Sequence, residues 1–255
     1  MELFVAGCHG GETPRHRTSG FVVDGRIALD AGALTSGLTL AEQAALEAVL
    51  VSHAHLDHVR DLATIADNRV QMGAPPLPVY GPKATMSALK KHFFNDRLWP
   101  DFTVLPSPDK PTIVLCPMPI GRTIEIAGYQ ATAIPVHHTI DCSGFVLEGQ
   151  GAAIAYSGDT GPTDRFWRRL NRTKNLKLAL VEVSFPDELE QLAAITGHFT
   201  PRTLAADLAK LKRPGELDVL LYHMKPVFQP AIERQCAKLP GLSLEVAQIG
   251  ARFRF

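Results

Sequence analysis

The stretch "VSHAHLDHVRD", Val51 to Asp61, carries three histidines and an aspartate within six consecutive residues. It follows a short apolar run and precedes a segment with helical periodicity, so we expect it at a junction between a strand and a helix. Buried polar groups this close together would be costly to fold unless they held something. Imidazole and carboxylate groups in this mixture are typical ligands of zinc-type metals. The stretch therefore predicts a metal site.

The spacing within the stretch favours two ions over one. His53 and His55 alternate by two residues, so both side chains can point to the same metal. Asp57 and His58 are displaced along the backbone and can serve a second metal, about 3.5–4 Å away as in other two-metal hydrolases. We therefore predict a dinuclear centre.

Further candidate ligands follow, each where an apolar run stops or a loop starts. In open α/β architectures such positions carry functional side chains. These candidates are His137 or His138 in "PVHHT", Asp159 in "YSGDTG", His198 in "TGHFTP" and His223 in "LLYHMKP". His137 is an alternative to its neighbour His138. The isolated His9, His16 and His92 are interpreted as ordinary surface or packed histidines.

Composition narrows the class of protein. The 255 residues are 45% hydrophobic, enough for one substantial core, so we expect a single domain over residues 1–255. Lys plus Arg and Asp plus Glu both number 26, so the formal net charge is zero. This argues against a protein that binds long nucleic acid mainly by neutralising its phosphates. Four scattered cysteines without a CxxC pair suggest reduced thiols and a cytoplasmic location. No apolar run approaches the length of a membrane span, so we expect no membrane partner.

Local patterns indicate an α/β fold. Asp24-Gly25 between two apolar runs predicts a hairpin, and Thr39 with Glu42 predicts the start of a helix. Four or five short β-branched runs, from "TIVL" to "AAIAYSG", are expected to make a second sheet, and the last third alternates helix and strand. These patterns predict two sheets sandwiched between helical layers.

Two surface segments each allow two interpretations. The loop from Asn95 to Pro111, with Trp99 and Phe102, is either a lid that contacts a substrate base or a structural loop with a buried tryptophan. A basic cluster is either an RNA-binding patch or a solvated helix face. Its members are Arg165, Arg168, Arg169 and Arg172.

The HxHxDH pattern, followed by a single histidine, an aspartate and a final histidine, resembles the metallo-β-lactamase fold superfamily. The resemblance implies an αββα sandwich of two mixed sheets between helical layers. It also implies that His53, His55 and His138 hold one metal, that Asp57, His58 and His223 hold the second, and that Asp159 bridges them. Asp30 in "LDAG" matches the superfamily's structural aspartate, which orients a ligand without touching metal.

Later motifs narrow the resemblance. "YSGDTG", "EVSFP", "GHFTP" and "HMKP" are similar to the class II cyclic nucleotide phosphodiesterases and to ribonuclease Z. This implies hydrolysis of 3′,5′-cyclic AMP or GMP to the 5′-nucleotide by a hydroxide that bridges two divalent metals, zinc first, with manganese or iron open. His198 is the expected general acid and Glu182 orients it, while Asp57 accepts a proton from the nucleophile.

Two other functions remain open at this point. One is a ribonuclease Z-like endonuclease that processes the 3′ end of tRNA, although no excursion resembles the tRNA-gripping arm of that enzyme. The other is a non-catalytic binding module of the same fold, which would show gaps in its ligand set. The expected partner is a small cyclic nucleotide, and a homodimer is compatible with the resemblance because dimers are common among relatives.

Overall fold

The structure is a computed structural model that describes residues 1–213, 215, 217–239 and 244–255. Its described residues contain sixteen strands, numbered here in chain order. They are β1 Glu2–Gly7, β2 Gly20–Val23, β3 Ile27–Leu29, β4 Ala48–Leu50, β5 Leu77–Gly81, β6 Pro106–Ser107, β7 Lys110–Pro111, β8 Ile113–Pro117, β9 Thr123–Ile126, β10 Tyr129–Pro135, β11 Ser143–Gly149, β12 Ala152–Tyr156, β13 Leu176–Glu182, β14 Asp218–Tyr222, β15 Leu244–Val246 and β16 Arg252–Arg254.

The α-helices of the described residues are short, and none is long and apolar enough to cross a membrane. They are α1 Leu40–Ala45, α2 Leu56–Val59, α3 Leu62–Gln71, α4 Lys83–Ala88, α5 Arg165–Leu170, α6 Glu190–Thr196, α7 Pro201–Leu208 and α8 Gln229–Cys236. A π-helical turn, Leu89–Phe93, extends α4, and a 3₁₀ turn, Asp187–Leu189, precedes α6.

Two seven-stranded mixed sheets form the centre of the molecule. The first has the order β16-β1-β2-β3-β4-β5-β8, and the second has the order β15-β14-β13-β12-β11-β10-β9. In each sheet one part is antiparallel and the other is parallel, with the change of direction at β3 in the first sheet and at β12 in the second. The parallel strands β4, β12 and β14 lead directly to candidate ligands, and β10 of the antiparallel part leads to His138.

Three apolar clusters stack the layers. The first lies between the sheets and joins residues such as Phe21 of the first sheet to Phe145 of the second. Another packs the outer face of the first sheet against α3, through residues such as Ile65. The third packs the outer face of the second sheet against α5 and α7, through residues such as Trp167 and Leu204. This αββα sandwich confirms the predicted fold class.

The local sequence signals explain how several elements begin and turn. Asp24 and Gly25 have φ values of 49° and 68°, as a type I′ hairpin turn requires, and they join β2 to β3. Thr39 caps α1 in a capping box with Glu42. Both predictions are confirmed.

The assignment of "TIVL" to the second sheet was wrong. The strand it forms, β8, pairs in parallel with β5 at the edge of the first sheet. β5, α4 and β8 make a strand–helix–strand crossover, which returns the chain to the sheet it left. Sequence periodicity identifies a strand but carries no information about which sheet it joins, and that is why the error arose.

The loop from Asn95 to Pro111 packs onto the body of the molecule. Phe102 is buried and Trp99 half-buried against the outer cluster of the first sheet, and the Trp99 indole N–H donates to the Ala63 carbonyl at 3.0 Å. These contacts fit the structural interpretation of the loop, because both aromatic rings are used for packing.

Candidate metal centre

All nine predicted site residues come together, in loops after strands or helices, at a strand end, or in the short helix α2. His53 and His55 follow β4, and Asp57 and His58 lie in α2. The other five follow or end strands and helices of the second sheet. They are His138 after β10, Asp159 after β12, Glu182 at the end of β13, His198 after α6 and His223 after β14.

The first group of donor atoms belongs to three histidines. His55 Nδ1 lies 2.9 Å from His53 Nε2 and 3.2 Å from His138 Nε2. Two ligands bound at 2.0–2.1 Å to one tetrahedral ion stand about 3.3 Å apart, which matches these separations. His137 is not part of the group: its side chain is exposed and its carbonyl accepts from the Gly161 N–H at 2.8 Å.

A second group lies beside the first. His223 Nε2 is 3.2 Å from His58 Nε2 and 3.4 Å from Asp57 Oδ2. Asp159 connects the two groups, because its Oδ2 lies 3.7 Å from His53 Nε2, 3.2 Å from His58 Nε2 and 3.3 Å from His223 Nε2. A carboxylate in this position can bridge two cations.

Hydrogen bonds orient the rings of His53 and His58. Asp30 is fully buried and accepts from His58 Nδ1 at 2.7 Å, so His58 turns Nε2 toward the cluster. Its carboxylate also accepts from the Ser52 hydroxyl and the Tyr156 hydroxyl. The Ser52 hydroxyl in turn accepts from His53 Nδ1 at 2.9 Å, so His53 Nε2 is unprotonated and its lone pair faces the cluster. Partners of this kind fix the tautomer of a ligating imidazole.

The remaining two candidate ligands, His138 and His223, are oriented from the second sheet. His138 Nδ1 donates to the Gly197 carbonyl at 3.0 Å. Gly197 has a φ of 67°, and a Cβ at this position would stand 2.9 Å from His138 Cα, so only glycine fits. Ser184 Oγ receives the Nδ1 proton of His223 at 2.9 Å.

Ser184 also connects His223 to the Glu182–His198 pair. Its hydroxyl donates to Glu182 Oε2 at 2.9 Å, while Glu182 Oε1 accepts from His198 Nδ1 at 2.7 Å. The His198 ring stacks on His223 with centroids 5.4 Å apart and lies 5.0 Å from the His138 ring. His198 therefore stands at the border of the cluster and keeps its Nε2 available.

Burial and charge set the protonation of the cluster. Burial lowers the pKa of His53, His55 and His138, so these rings are neutral, the form that binds a cation. Burial alone would raise the pKa of Asp159 and Asp57. The neighbouring His223 and His58 outweigh it and hold both carboxyl pKa values well below their usual range.

His198 differs from the other histidines. Burial opposes its protonation, but the charge and hydrogen bond of Glu182 outweigh burial and raise its pKa. A histidine that keeps its proton near neutral pH is suited to general acid catalysis.

The residues present fit a pair of divalent cations. Five imidazoles and two carboxylates converge within ligand distance, and Asp159 Oδ1 is buried without a hydrogen-bond partner. Such an orphaned carboxylate oxygen is costly unless a cation satisfies it. The donor set of nitrogen and oxygen suits zinc, manganese or iron.

Several residues of this site were not predicted to act there. Ser52, Tyr156 and Ser184 supply the hydrogen bonds described above, and the Gly197 carbonyl supplies another. The only available signal was proximity in sequence. Ser52 and Gly197 directly precede His53 and His198, Ser184 lies two residues after Glu182, and Tyr156 ends the strand that leads to Asp159.

Comparison with known proteins agrees with this architecture. A probable 3′,5′-cyclic-nucleotide phosphodiesterase from Yersinia pestis is 30% identical over 72% of this chain, and the match spans 58% of that relative's length. A 3′,5′-cyclic-nucleotide phosphodiesterase from Aliivibrio fischeri is 26% identical over 90% of this chain and 81% of its own. The crystal structure of the metallo-β-lactamase fold protein YhfI from Bacillus subtilis superposes with a TM-score of 0.80, at 18% identity, covering 99% of both chains.

Residues 25–224 match the family described as the beta-lactamase superfamily domain. The matched segment begins at the β2–β3 hairpin and ends at the residue after His223, so it spans every candidate ligand. The chain belongs to the beta-lactamase superfamily.

Proposed function

We propose that this protein is a dinuclear metal-dependent phosphodiesterase that hydrolyses 3′,5′-cyclic AMP, cyclic GMP or both to the 5′-nucleotides. The observation that carries the proposal is the Glu182–His198 pair beside the seven-residue cluster, since a phosphodiester needs both charge neutralisation and a proton for its leaving group. The cyclic-nucleotide phosphodiesterase names of the two bacterial relatives support it.

In this proposal, His53, His55 and His138 would hold one cation, Asp57, His58 and His223 would hold the other, and Asp159 would be shared between them. Zinc is the first choice for such ligands, and manganese and iron remain compatible. The chemistry that two cations supply when bound is Lewis acidity, which activates water and offsets negative charge on the phosphate. The whole of residues 1–255 would then act as one catalytic domain.

In this proposal His198 donates a proton to the leaving group and Asp57 accepts one from the attacking water. Glu182 holds the Nδ1 proton of His198, so His198 can give a proton from Nε2 to the 3′-oxygen as the bond from phosphorus to that oxygen breaks. Asp57, whose side chain is 35% exposed, is accessible to the attacking water and takes its proton. The four cysteines are unpaired in the structure, which fits a reducing compartment such as the cytoplasm.

The test is a metal count combined with a substrate panel. Protein purified without added metal should hold two transition-metal ions per chain and should hydrolyse 3′,5′-cyclic AMP or cyclic GMP, releasing the 5′-monophosphate. A precursor tRNA in the same assay should remain intact. Two bound metals without turnover of either cyclic nucleotide would reject the proposal.

A ribonuclease Z-like function is the second candidate. The exposed Arg165, Arg168 and Arg172 favour it, because they place positive charge on one stretch of the surface. Arg169 does not add to this patch, since it pairs with Glu148 at 2.5 Å. Cleavage of the precursor tRNA with untouched cyclic nucleotides would move the function to this candidate. A non-catalytic module is disfavoured because no position of the expected ligand set is vacant.

A further inference from the structure

A cleft of about 450 Å³ opens directly beside His138. One side is Pro82 with the first turn of α4, and the other is the loop between β10 and β11, with the turn before β9 at the rim. Six apolar or weakly polar residues form much of its lining: Pro82, Ile120, Pro135, Val136, Ile140 and Cys142.

The composition of the cleft is that of a small-molecule site. Such sites enclose about 300–1,000 Å³ and combine apolar walls with a few polar groups that set orientation. Besides His138 and the buried Ser143, the polar residues are Lys83, Thr139 and Asp141, which offer a cation, a hydroxyl and a carboxylate. Together they can donate to and accept from the edge of a purine.

Two exposed isoleucines mark its rim. Ile120 is 46% exposed and Ile140 is 40% exposed, although both are large aliphatic side chains. They come from different loops and line the same cleft, so a planar apolar ligand could cover both at once.

The loops that carry these side chains are held in place. The Val136 N–H donates to the Cys142 carbonyl at 3.2 Å and closes the loop between β10 and β11. The turn with Ile120 is fastened to β10, because the Gly121 N–H donates to the Ala133 carbonyl at 2.8 Å. The cleft is therefore formed before a ligand arrives, which reduces the entropy lost on binding.

We propose that this cleft binds the nucleobase and ribose of the substrate, an inference that rests on the proposed phosphodiesterase function. His138 belongs both to the cleft and to the metal centre, so a nucleotide whose phosphate lies at the centre can extend its base between Ile120 and Ile140. The aromatic side chains of the 95–111 loop are engaged in packing, so the proposal does not assign the base to that loop.

The experiment compares two substrates on two variants. Ile140→Asp and Ile120→Asp each put a charge where the base would lie, so KM for the 3′,5′-cyclic nucleotide should rise about tenfold or more. Hydrolysis of methyl p-nitrophenyl phosphate, a small diester without a base, should stay at the wild-type rate. Val104→Asp is the matched control, because Val104 is also 40% exposed but lies outside the cleft.

Metal content and the thermal midpoint of each variant show whether it is folded and loaded. An unchanged KM in both isoleucine variants would overturn the proposal, and so would an equal loss on the two substrates, since that would place the effect at the metal centre. A wild-type protein that cleaves the small diester but neither cyclic nucleotide would reject the proposed function itself, and the nucleoside site with it.

Discussion

Each imidazole that turns Nε2 to the metal centre has its Nδ1 proton held by an acceptor on the far side. Ser184 is one of these acceptors and also a donor, because it receives the His223 proton and donates its own to Glu182. His223 itself has a backbone φ of 66°, and Asp30, which orients His58, has a φ of 57°. Backbone in this region costs about 1–3 kcal/mol per residue other than glycine. The centre is thus held by both side-chain and backbone constraints.

Ser184→Ala should weaken metal binding. The substitution leaves the Nδ1 proton of His223 and one oxygen of Glu182 without their partner in a fully buried position. Loss of such a supporting hydrogen bond typically costs about 10–100-fold in metal affinity. Competition with a chelator measures the change, and Ser184→Thr, which keeps the hydroxyl, is the control. Equal affinity in the alanine variant would show that Ser184 does not orient the ligand.

His198→Ala separates an acid from a ligand. With a cyclic nucleotide, kcat should fall about 10²–10⁴-fold, because the 3′-oxygen then leaves without a proton. Bound metal should remain at the wild-type level, and p-nitrophenyl diesters should react at nearly the wild-type rate, since their leaving group needs no proton. The control is His92→Ala on an exposed helix position. Loss of metal together with turnover would make His198 a ligand.

At the scale of elements, the short α1 depends on a buried arginine. Arg69 in α3 is 1% exposed, and its guanidinium donates to the carbonyls of Gln43, Ala44 and Leu46 at 2.6–3.1 Å. It also donates to the Pro75 carbonyl at 2.7 Å. Carbonyls at the end of a helix have no partner within it, so this side chain supplies the missing donors and ties α1 to α3.

Arg69→Met should therefore lower the stability of the fold and leave the residues of the candidate metal centre unchanged. The methionine retains much of the apolar stem but leaves four carbonyls without a donor, and we expect a loss of about 2–4 kcal/mol in the free energy of unfolding. Denaturant titration measures it. Arg97→Met, at an exposed loop position, should change stability by less than about 0.5 kcal/mol. Equal stability of the two variants would show that the buried hydrogen bonds contribute little.

At the scale of the whole molecule, the candidate metal centre lies between the two halves of the sandwich. Four candidate ligands follow a strand of the first sheet or lie in α2, and three follow strands of the second sheet. The first four are His53, His55, Asp57 and His58, and the other three are His138, Asp159 and His223. Ions bound there would connect both halves, and a ligand that binds only the native state stabilises it by about 2.7 kcal/mol at one hundred times its dissociation constant.

Removal of metal should lower the thermal midpoint by about 5–10 °C, which is the shift that this free energy implies for a chain of this size. Scanning calorimetry with and without chelator, followed by zinc addition, measures the loss and its recovery. A His53→Ala/His223→Ala variant should be indifferent to the chelator. The same midpoint for loaded and stripped wild-type protein would contradict this role of the ions.

The sequence alone carried the strongly local features. The Asp24-Gly25 turn and the Thr39 cap were predictable because each depends on the conformational preferences of a few adjacent residues. The density of candidate ligands from His53 to His58 was also visible, since all four lie at one strand-to-helix junction. The layered fold followed from these patterns together with the resemblance to a known superfamily.

Tertiary structure decided everything that depends on distant residues. His138, and not His137, joins the cluster because the chain after β10 brings His138 against the Gly197 carbonyl. The strand β8 joins the first sheet through a crossover connection, which sequence periodicity does not encode. The partners Ser184 and Tyr156 became visible only after folding. Their contacts cross gaps of up to 126 residues, and side-chain hydrogen bonds over such gaps are fixed by packing, because no local preference of the chain specifies them.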